Sequence, residues 1–343
     1  MSYKPSALKI GDTIGVFTPY FPAHVEWRDK YLHGLAVLRN LGYEVLEGAL
    51  TAKATSQGYR SGSPQERAAE FMELYRQPQV KAMISTIGGT NSSSLIPYLE
   101  FDFIAAHPKI ICGYSDVTSL HLALLKFSKL RTFYGPAVMP SFGEWPDVLP
   151  ETKESFLRAV SDPSQSSRPL TPPASWSNHL RGVQSGEWKT LPRRFEKNLG
   201  WKTLIPGKAE APVLVANLNT LLTAAGTSYF PDLTAKILLI EQMKAAFSMD
   251  ERNLRQLERM GVFDRIAGLI VGKPEFLDSE NAPFSHDELL LEVVGQNRPY
   301  PVVSGFDCSH TNPMLTIAQM TQLLVEAKGG YETRVTVLES MVI

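Results

Sequence analysis

Along the N-terminal part of the chain, short unbroken apolar runs alternate with longer stretches in which apolar residues return at every third or fourth position. The first pattern predicts buried strands and the second one-sided helices. Thr13 to Thr18 reads as a strand, Arg28 to Leu41 as a helix with Leu32, Leu35 and Leu38 on one face and Gly42 at its end, and Tyr43 to Leu46 as the next strand. Ser63-Pro64-Gln65-Glu66 combines an N-cap, a proline at the first helical position and a capping glutamate, ahead of Ala68, Phe71, Met72 and Tyr75 at helical spacing. Val80 to Ile87 is a strand that breaks at Gly88-Gly89-Thr90-Asn91-Ser92, after which Leu95, Ile96 and Leu99 line a short helix. Lys109 to Cys112 is a further buried strand, Gly113 to Ser115 a tight turn, and Val117 to Phe127 a helix with Val117, Leu120, Leu124 and Phe127 on its apolar face. This alternation is that of a doubly wound α/β domain, whose ligands gather at the carboxyl ends of the strands.

Between about Ser161 and Pro192 the pattern dissolves into Pro, Ser and isolated Trp, as in a linker or a long functional loop. Order returns with a strand over Ala211 to Val215, a helix over Leu218 to Ala225 and a strand over Lys236 to Ile240. A helix over Glu251 to Met260 follows, introduced by Ser248-x-x-Glu251 as a capping box and closed by Gly261; Ile266 to Val271 is a strand and Ser285-x-x-Glu288 opens another capped helix. A short apolar strand over Pro301 to Val303 precedes Gly305. The second half is again α/β.

Composition narrows the class. The 343 residues suffice for two domains or one large one, and 34 Lys and Arg stand against 35 Asp and Glu, interspersed, so no basic face for a nucleic-acid backbone is expected. No run resembles a signal peptide or approaches the roughly 20 apolar residues that span a bilayer. Cys112 and Cys308 are too few for a disulfide framework and read as buried structural cysteines. A reduced cytoplasm is the expected setting.

A strand-turn-helix with Ser115 at its tip suits a nucleophile, because the turn lifts the hydroxyl from the sheet and leaves the first helical amides, including that of Asp116, facing an anionic oxygen. Gly-x-Ser lacks the second glycine of the usual elbow, and Ser115 reads equally as the N-cap of the helix. A serine needs a base and a group to orient it. Of seven histidines, His310 stands in the polar loop Asp307-Cys308-Ser309-His310-Thr311-Asn312-Pro313 after an apolar strand, whereas His121, within the helix after Ser115, reads as a packed or solvated residue. Glu241 ends the apolar run Ile237-Leu238-Leu239-Ile240, where a carboxylate is solvated, paired or functional; a salt bridge to Lys244 or Arg252 is the plainer alternative. No spacing supports a metal site, and Gly88-Gly89 is neither a phosphate loop nor a dinucleotide fingerprint. Neither a metal nor another cofactor is expected.

Six segments together carry a resemblance over nearly the whole chain. They are Ser85-Thr86-Ile87-Gly88-Gly89-Thr90-Asn91-Ser92, Gly113-Tyr114-Ser115-Asp116, Phe133-Tyr134-Gly135-Pro136, Asn217-Leu218-Asn219-Thr220-Leu221, Leu239-Ile240-Glu241, and the run from Gly305 to Thr316. The chain resembles the serine peptidases that comprise LD-carboxypeptidases and the microcin C self-immunity proteins. The resemblance implies Ser115 as nucleophile, His310 as general base and then acid, Glu241 as the group that orients His310, and the amides of Gly89 and Asp116 as the oxyanion hole. It also implies an N-terminal domain carrying the serine, a C-terminal domain carrying acid and base, and a homodimer.

The Ile-Gly-Gly-x-Asn-Ser run and the Trp-bearing loop resemble the immunity branch, which implies hydrolysis of the amide joining a C-terminal aspartyl group to a modified nucleotide. The alternatives are release of terminal D-Ala from a cytoplasmic muropeptide, and a binding protein that holds a peptidyl nucleotide without turnover. Trp176 and Trp188 would offer faces to a nucleobase or else pin the loop as packing, and Asn91 and Asn217 would join them as substrate contacts. Val215-Ala216 stands where the family has Gly-Gly, a departure expected to tighten that side of the pocket. The expected architecture is an N-terminal doubly wound, flavodoxin-like α/β domain over 1–160, a linker and substrate loop over 161–192, and a C-terminal α/β domain with a mainly β core over 193–343.

Overall fold

The computed structural model describes residues 2–53, 56–164, 167–244 and 246–343. The strands of the N-terminal half are β1 (Thr13–Phe17), β2 (Glu44–Glu47), β3 (Val80–Ser85), β4 (Ile110–Gly113) and β5 (Phe133–Tyr134). Three short strands follow, β6 (Arg168–Pro169), β7 (Ser175–Trp176) and β8 (Glu196–Lys197). The remainder are β9 (Lys202–Ile205), β10 (Gly207–Asn217), β11 (Ile237–Glu241), β12 (Gly268–Gly272), β13 (Val302–Phe306), β14 (Ile317–Ala318), β15 (Gln322–Ala327) and β16 (Thr333–Val337).

Two sheets carry the molecule. The first has the order β14-β5-β4-β3-β1-β2, in which β1 to β5 run parallel in the flavodoxin-like sequence 2-1-3-4-5. The second is eight-stranded, β6-β16-β15-β10-β11-β12-β13-β9, with β10 to β13 parallel and antiparallel strands on both sides. Helices cover both, so the mixed α/β architecture is the one expected. β14 crosses over: it lies near the C-terminal end of the chain yet pairs antiparallel with β5, Ile317 opposite Tyr134 and Ala318 opposite Phe133. A continuous apolar cluster accordingly runs from Ile14, Ile84 and Phe133 to Val215, Leu239 and Val303.

Local signals were realised where side chain and backbone needed each other. Ser63 and Ser285 both form reciprocal capping boxes, with Glu66 and Glu288 respectively. The box expected at Ser248 does not form: the helix runs Phe247–Arg259, so Ser248 is already inside it, and its amide donates to Glu280 (2.8 Å). The helix after Ser115 spans Thr118–Phe127, led in by a 3-10 turn over Ser115–Val117, and no side-chain hydrogen bond caps it. The stretch expected to be a linker holds β6, paired with β16, β7, paired with β8 just beyond the stretch, and a short helix over Glu187–Thr190.

Arg67 shows what fixes the loops at the carboxyl ends of β1 and β3. Its guanidinium is buried and donates to the carbonyls of Gly62 (2.9 Å) and Pro19, to Ser94 Oγ (2.9 Å) and to Asn91 O (3.5 Å). Arg67→Ala would leave the buried carbonyls of Pro19 and Gly62 unpaired and release the Asn91–Ser94 loop, and is expected to cost at least about 3 kcal/mol in urea denaturation. A loss below about 1 kcal/mol would show that these loops hold their shape without it.

Candidate active site

Gly113 ends β4, and the chain turns so sharply after it that Ser115 adopts φ +62°, the left-handed region that disfavours any side chain. The turn is held from two sides. The Ser115 amide donates to the Tyr134 hydroxyl at 3.1 Å, and Ser92 clasps Asp116 through its own amide to Oδ2 (2.8 Å) and its hydroxyl to the Asp116 carbonyl (2.6 Å). The Gly88–Gly89 loop can approach only because it lacks side chains: a Cβ on Gly88 would sit 3.1 Å from Ser115 Cβ, and one on Gly89, at φ +153°, would strike the Tyr20 ring at 2.5 Å. Among the described residues, neither the Gly89 nor the Asp116 amide donates a hydrogen bond, and Ser115 Oγ forms none. Asn91 lies exposed on the same loop.

Glu241 is the last residue of β11 and is 1% exposed. Its Oε2 lies 2.5 Å from His310 Nδ1, and its Oε1 accepts from the Tyr134 hydroxyl and from Asn217 Nδ2 (3.0 Å). The salt bridges to Lys244 or Arg252 weighed from sequence are not made. Gly272 on the neighbouring strand permits this packing, since a Cβ there would meet Glu241 Cβ at 2.8 Å and Ser309 Cβ at 2.9 Å. Burial alone would raise the Glu241 carboxyl, but the His310 charge and hydrogen bond, then the Tyr134 and Asn217 donors, outweigh it and hold it below its usual range. Burial alone would likewise lower the His310 imidazole, yet Glu241 raises it above its ordinary 6.5.

Asn217 N-caps the helix Leu218–Thr223 by accepting from the Thr220 amide, and its own amide donates to Thr118 Oγ1 at 3.0 Å, beside the serine turn. Val215 and Ala216 before it are fully buried and pack in two different apolar clusters, so the side chains that replace the family glycines fill the core. His121 is buried with Nε2 2.9 Å from the Gly113 carbonyl, and burial pushes it down to about 4, so it supports the turn as a neutral ring. Cys112 and Cys308 are both buried, and burial pushes their thiols up, away from nucleophilic use.

The two tryptophans part company. Trp176 is half-buried on β7, which is tied to the His310 loop by Ser177 N to Asn312 O (2.7 Å), and the Lys273 ammonium sits 5.8 Å from its ring centroid. Trp188 is buried against Trp145 and His33, in a cluster that Arg181 and Arg193 pin to the N-terminal half through the buried carboxylate of Glu144.

Two residues escaped the sequence reading. Tyr134 belongs to a quoted motif but sits on a two-residue strand with no periodicity to interpret. Glu275 follows β12 as Glu241 ends β11, a strand-end position that would have flagged it. It is half-buried, burial pushes it up to about 6, and its charge acts on His310.

Residues 14–135 match the model of the LD-carboxypeptidase N-terminal domain, and residues 210–323 that of the LD-carboxypeptidase C-terminal domain. The microcin C7 self-immunity protein MccF of Escherichia coli is 39% identical over 321 residues, 93% of this chain and 92% of that one. A probable murein peptide carboxypeptidase of Bacillus subtilis is 30% identical over 323 residues, 92% of this chain and 89% of that one. A solved structure of MccF in complex with aspartyl sulfamoyl adenosine has a TM-score of 0.92 at 36% identity, covering 99% of this chain and 100% of that one. With both halves matched in order and the identity spread along its length, the chain belongs to the LD-carboxypeptidase family.

Proposed function

We propose that this protein is a serine hydrolase of the amide bond between a C-terminal aspartyl or similar acidic group and a modified nucleotide, acting in self-immunity to, or detoxification of, microcin C-like peptidyl nucleotides. The observation that carries the chemistry is the one buried carboxylate shared by His310 Nδ1 and by the tyrosine that holds the Ser115 amide. In this reading Ser115 Oγ attacks the carbonyl carbon while His310 Nε2 takes its proton, and Glu241 keeps the imidazole oriented and stabilises its charge. The tetrahedral oxyanion faces the unpartnered amides of Gly89 and Asp116. Collapse expels the amine, protonated by His310, and water then releases the acyl group by the same steps in reverse. The open Oγ geometry suits a free enzyme, in which catalytic hydrogen bonds are commonly long and tighten on binding.

The nucleotide preference rests on the likeness to MccF, which has been solved with an aspartyl sulfamoyl adenosine, and on Trp176, whose half-exposed ring is tied to the histidine loop. Asn91, exposed on the glycine loop, is kept as a substrate contact of this proposal, whereas Trp188, expected from sequence to be another, is sealed against Trp145 and His33 and supports the loop from within. Asn217, buried with its side-chain amide engaged by Glu241 and Thr220, acts on the centre through Glu241 in this proposal. Release of D-Ala from muropeptides is the second reading, favoured by the murein peptide carboxypeptidase relative. A cytoplasmic homodimer, implied by the family resemblance, belongs to the same proposal; sedimentation as a monomer at micromolar concentration would remove the dimer.

Incubation with an aspartyl-adenylate carrying a hydrolysable amide, read by mass spectrometry, is expected to give free aspartate and nucleotide, with no effect of chelators. Intact ligand with enzyme in excess would leave a binding protein, and turnover of a tetrapeptide alone would favour the second reading. Ser115→Ala and His310→Ala should each remove most of the rate and the double variant little more, since such losses are strongly non-additive. Additive, modest losses in folded protein would mean that other residues carry the reaction.

Because His310 must be neutral to act as base and is raised above 6.5, kcat/KM should climb with pH through an acid limb lying above that value. A limb near 5 would contradict the Glu241 pairing. Trp176→Ala should weaken a nucleotide substrate about 5- to 150-fold, as loss of one base-stacking face predicts, while leaving a muropeptide unaffected. Trp188→Ala should instead lower the melting temperature; equal losses on both substrates from Trp176→Ala would make that ring packing only.

A further inference from the structure

We infer that Tyr134 is a positioning residue of the hydrolytic centre: its hydroxyl fixes Glu241 so that the proton taken from the nucleophile stays on His310, and it withdraws the Ser115 amide from the oxyanion hole. The inference rests on the triad proposed above. It starts from the polarity of two hydrogen bonds. The Ser115 N–H can only donate, so the Tyr134 oxygen accepts at 3.1 Å, and the single phenolic proton is left to point at Glu241 Oε1. The tyrosine is fully buried, and burial together with the Glu241 charge raises it well above 10, so the hydroxyl keeps its proton at any pH at which the enzyme would work.

Glu241 thus accepts from donors on both oxygens: His310 on Oε2, Tyr134 and Asn217 on Oε1. A carboxylate with both oxygens engaged is held in one plane, and each donor makes it less basic. That keeps the shared proton on the imidazole rather than on Glu241, and leaves His310 able to hand it to the departing amine. The other titratable groups about the pair are the half-buried Glu275, whose charge acts on His310, the Cys308 thiol, which burial and the Glu241 charge raise, and Tyr114, its ring 4.8 Å from the imidazole; none of them hydrogen-bonds to Glu241. In many serine hydrolases the amide of the nucleophile itself is an oxyanion donor. Here that amide is already spent on Tyr134, so Gly89 and Asp116 are left to serve.

The tyrosine also spans the molecule. It is the last residue of β5 and pairs with Ile317 of β14, while Glu241 lies in the other sheet. Removing its hydroxyl therefore loosens a bond between the element that carries the nucleophile and the one that orients the base, with the ring still filling its place.

The test is Tyr134→Phe in the full chain, read in two ways. Titration of His310 by NMR of carbon-13 labelled histidine, its signal assigned by loss in His310→Gln, should show the imidazole rising by about half to one pH unit, because Glu241 becomes more basic. Turnover should fall about 10- to 100-fold in kcat with KM nearly unchanged, the acid limb moving up with the histidine. Replacing Tyr134 with 3-fluorotyrosine keeps size and bonding while strengthening the donor, and should move His310 the opposite way; it carries the test should the phenylalanine variant fail to fold. An unmoved histidine titration in both variants, with loss confined to melting temperature, would overturn the inference and leave Tyr134 as packing. Should Ser115→Ala prove active, the triad itself falls, while the titration still reports on the link between Tyr134 and His310.

Discussion

A carboxylate can be ionised inside a protein only if its surroundings replace the water it has lost, since an unpaired buried charge costs several kcal/mol, roughly. Glu241 meets that condition with donors drawn from separate parts of the chain: Tyr134 from the first sheet, Asn217 from the end of β10, and His310 from the loop after β13. No one of these segments would hold the charge alone. The juncture of the two sheets is therefore an electrostatic requirement as well as an apolar one, and the short β5-β14 pairing gains its importance from where it leaves Tyr134.

The same condition sets the pH window of the pair. Glu241 is held below 4.5, so its contribution to stability is present above that value and is lost as pH falls through the folded pKa. His310 is raised above 6.5, so its contribution is complete below 6.5 and is lost as pH rises through the folded pKa. Between the two, the pair is ionised and most stabilising; above, His310 is neutral and ready to accept a proton. The state that best holds the juncture and the state that suits a general base are therefore different, and the raised histidine sets the pH at which one gives way to the other.

Much of this was legible in the sequence because it depends on short-range chemistry. Ser63 and Ser285 announce their helices with a partner three residues on, whereas Glu241, ending an apolar run, and Ser115, in the turn after one, were visible as candidates beside plainer readings. What could not be read depends on contacts made at long range. Tyr134 lies in a two-residue strand held between β4, where it pairs with Gly113, and the distant β14, where it pairs with Ile317. Ser248 carries a cap signature that lost to a helix beginning one residue earlier, with Glu280 satisfying its amide instead. Trp176 and Trp188 look alike in a Pro/Ser-rich stretch, and only the ion pairs of Glu144 with Arg181 and Arg193 reveal that one is sealed in and the other is not.

Those ion pairs separate a stretch fixed by buried charge from one held by hydrogen bonds. Arg181 and Glu144 are almost wholly buried, and breaking one partner of such a pair strands the other charge, at a cost of about 3 to 5 kcal/mol. The stretch around Trp188 is thereby fixed to the N-terminal half. The β7-β8 pair carrying Trp176 is attached by hydrogen bonds instead: two backbone bonds between Ser177 and Asn312 in the histidine loop, the Phe276 amide to Asn178 Oδ1, and Asn198 Nδ2 to Asp307. A change of residue at 176 removes a ring from beside the Lys273 ammonium, which keeps its own pairing with Asp307, whereas a change at Glu144 leaves two guanidinium groups without their carboxylate. Under the function proposed, Trp176 would therefore tune selectivity from the β7-β8 pair while the Glu241 cluster stays as it is.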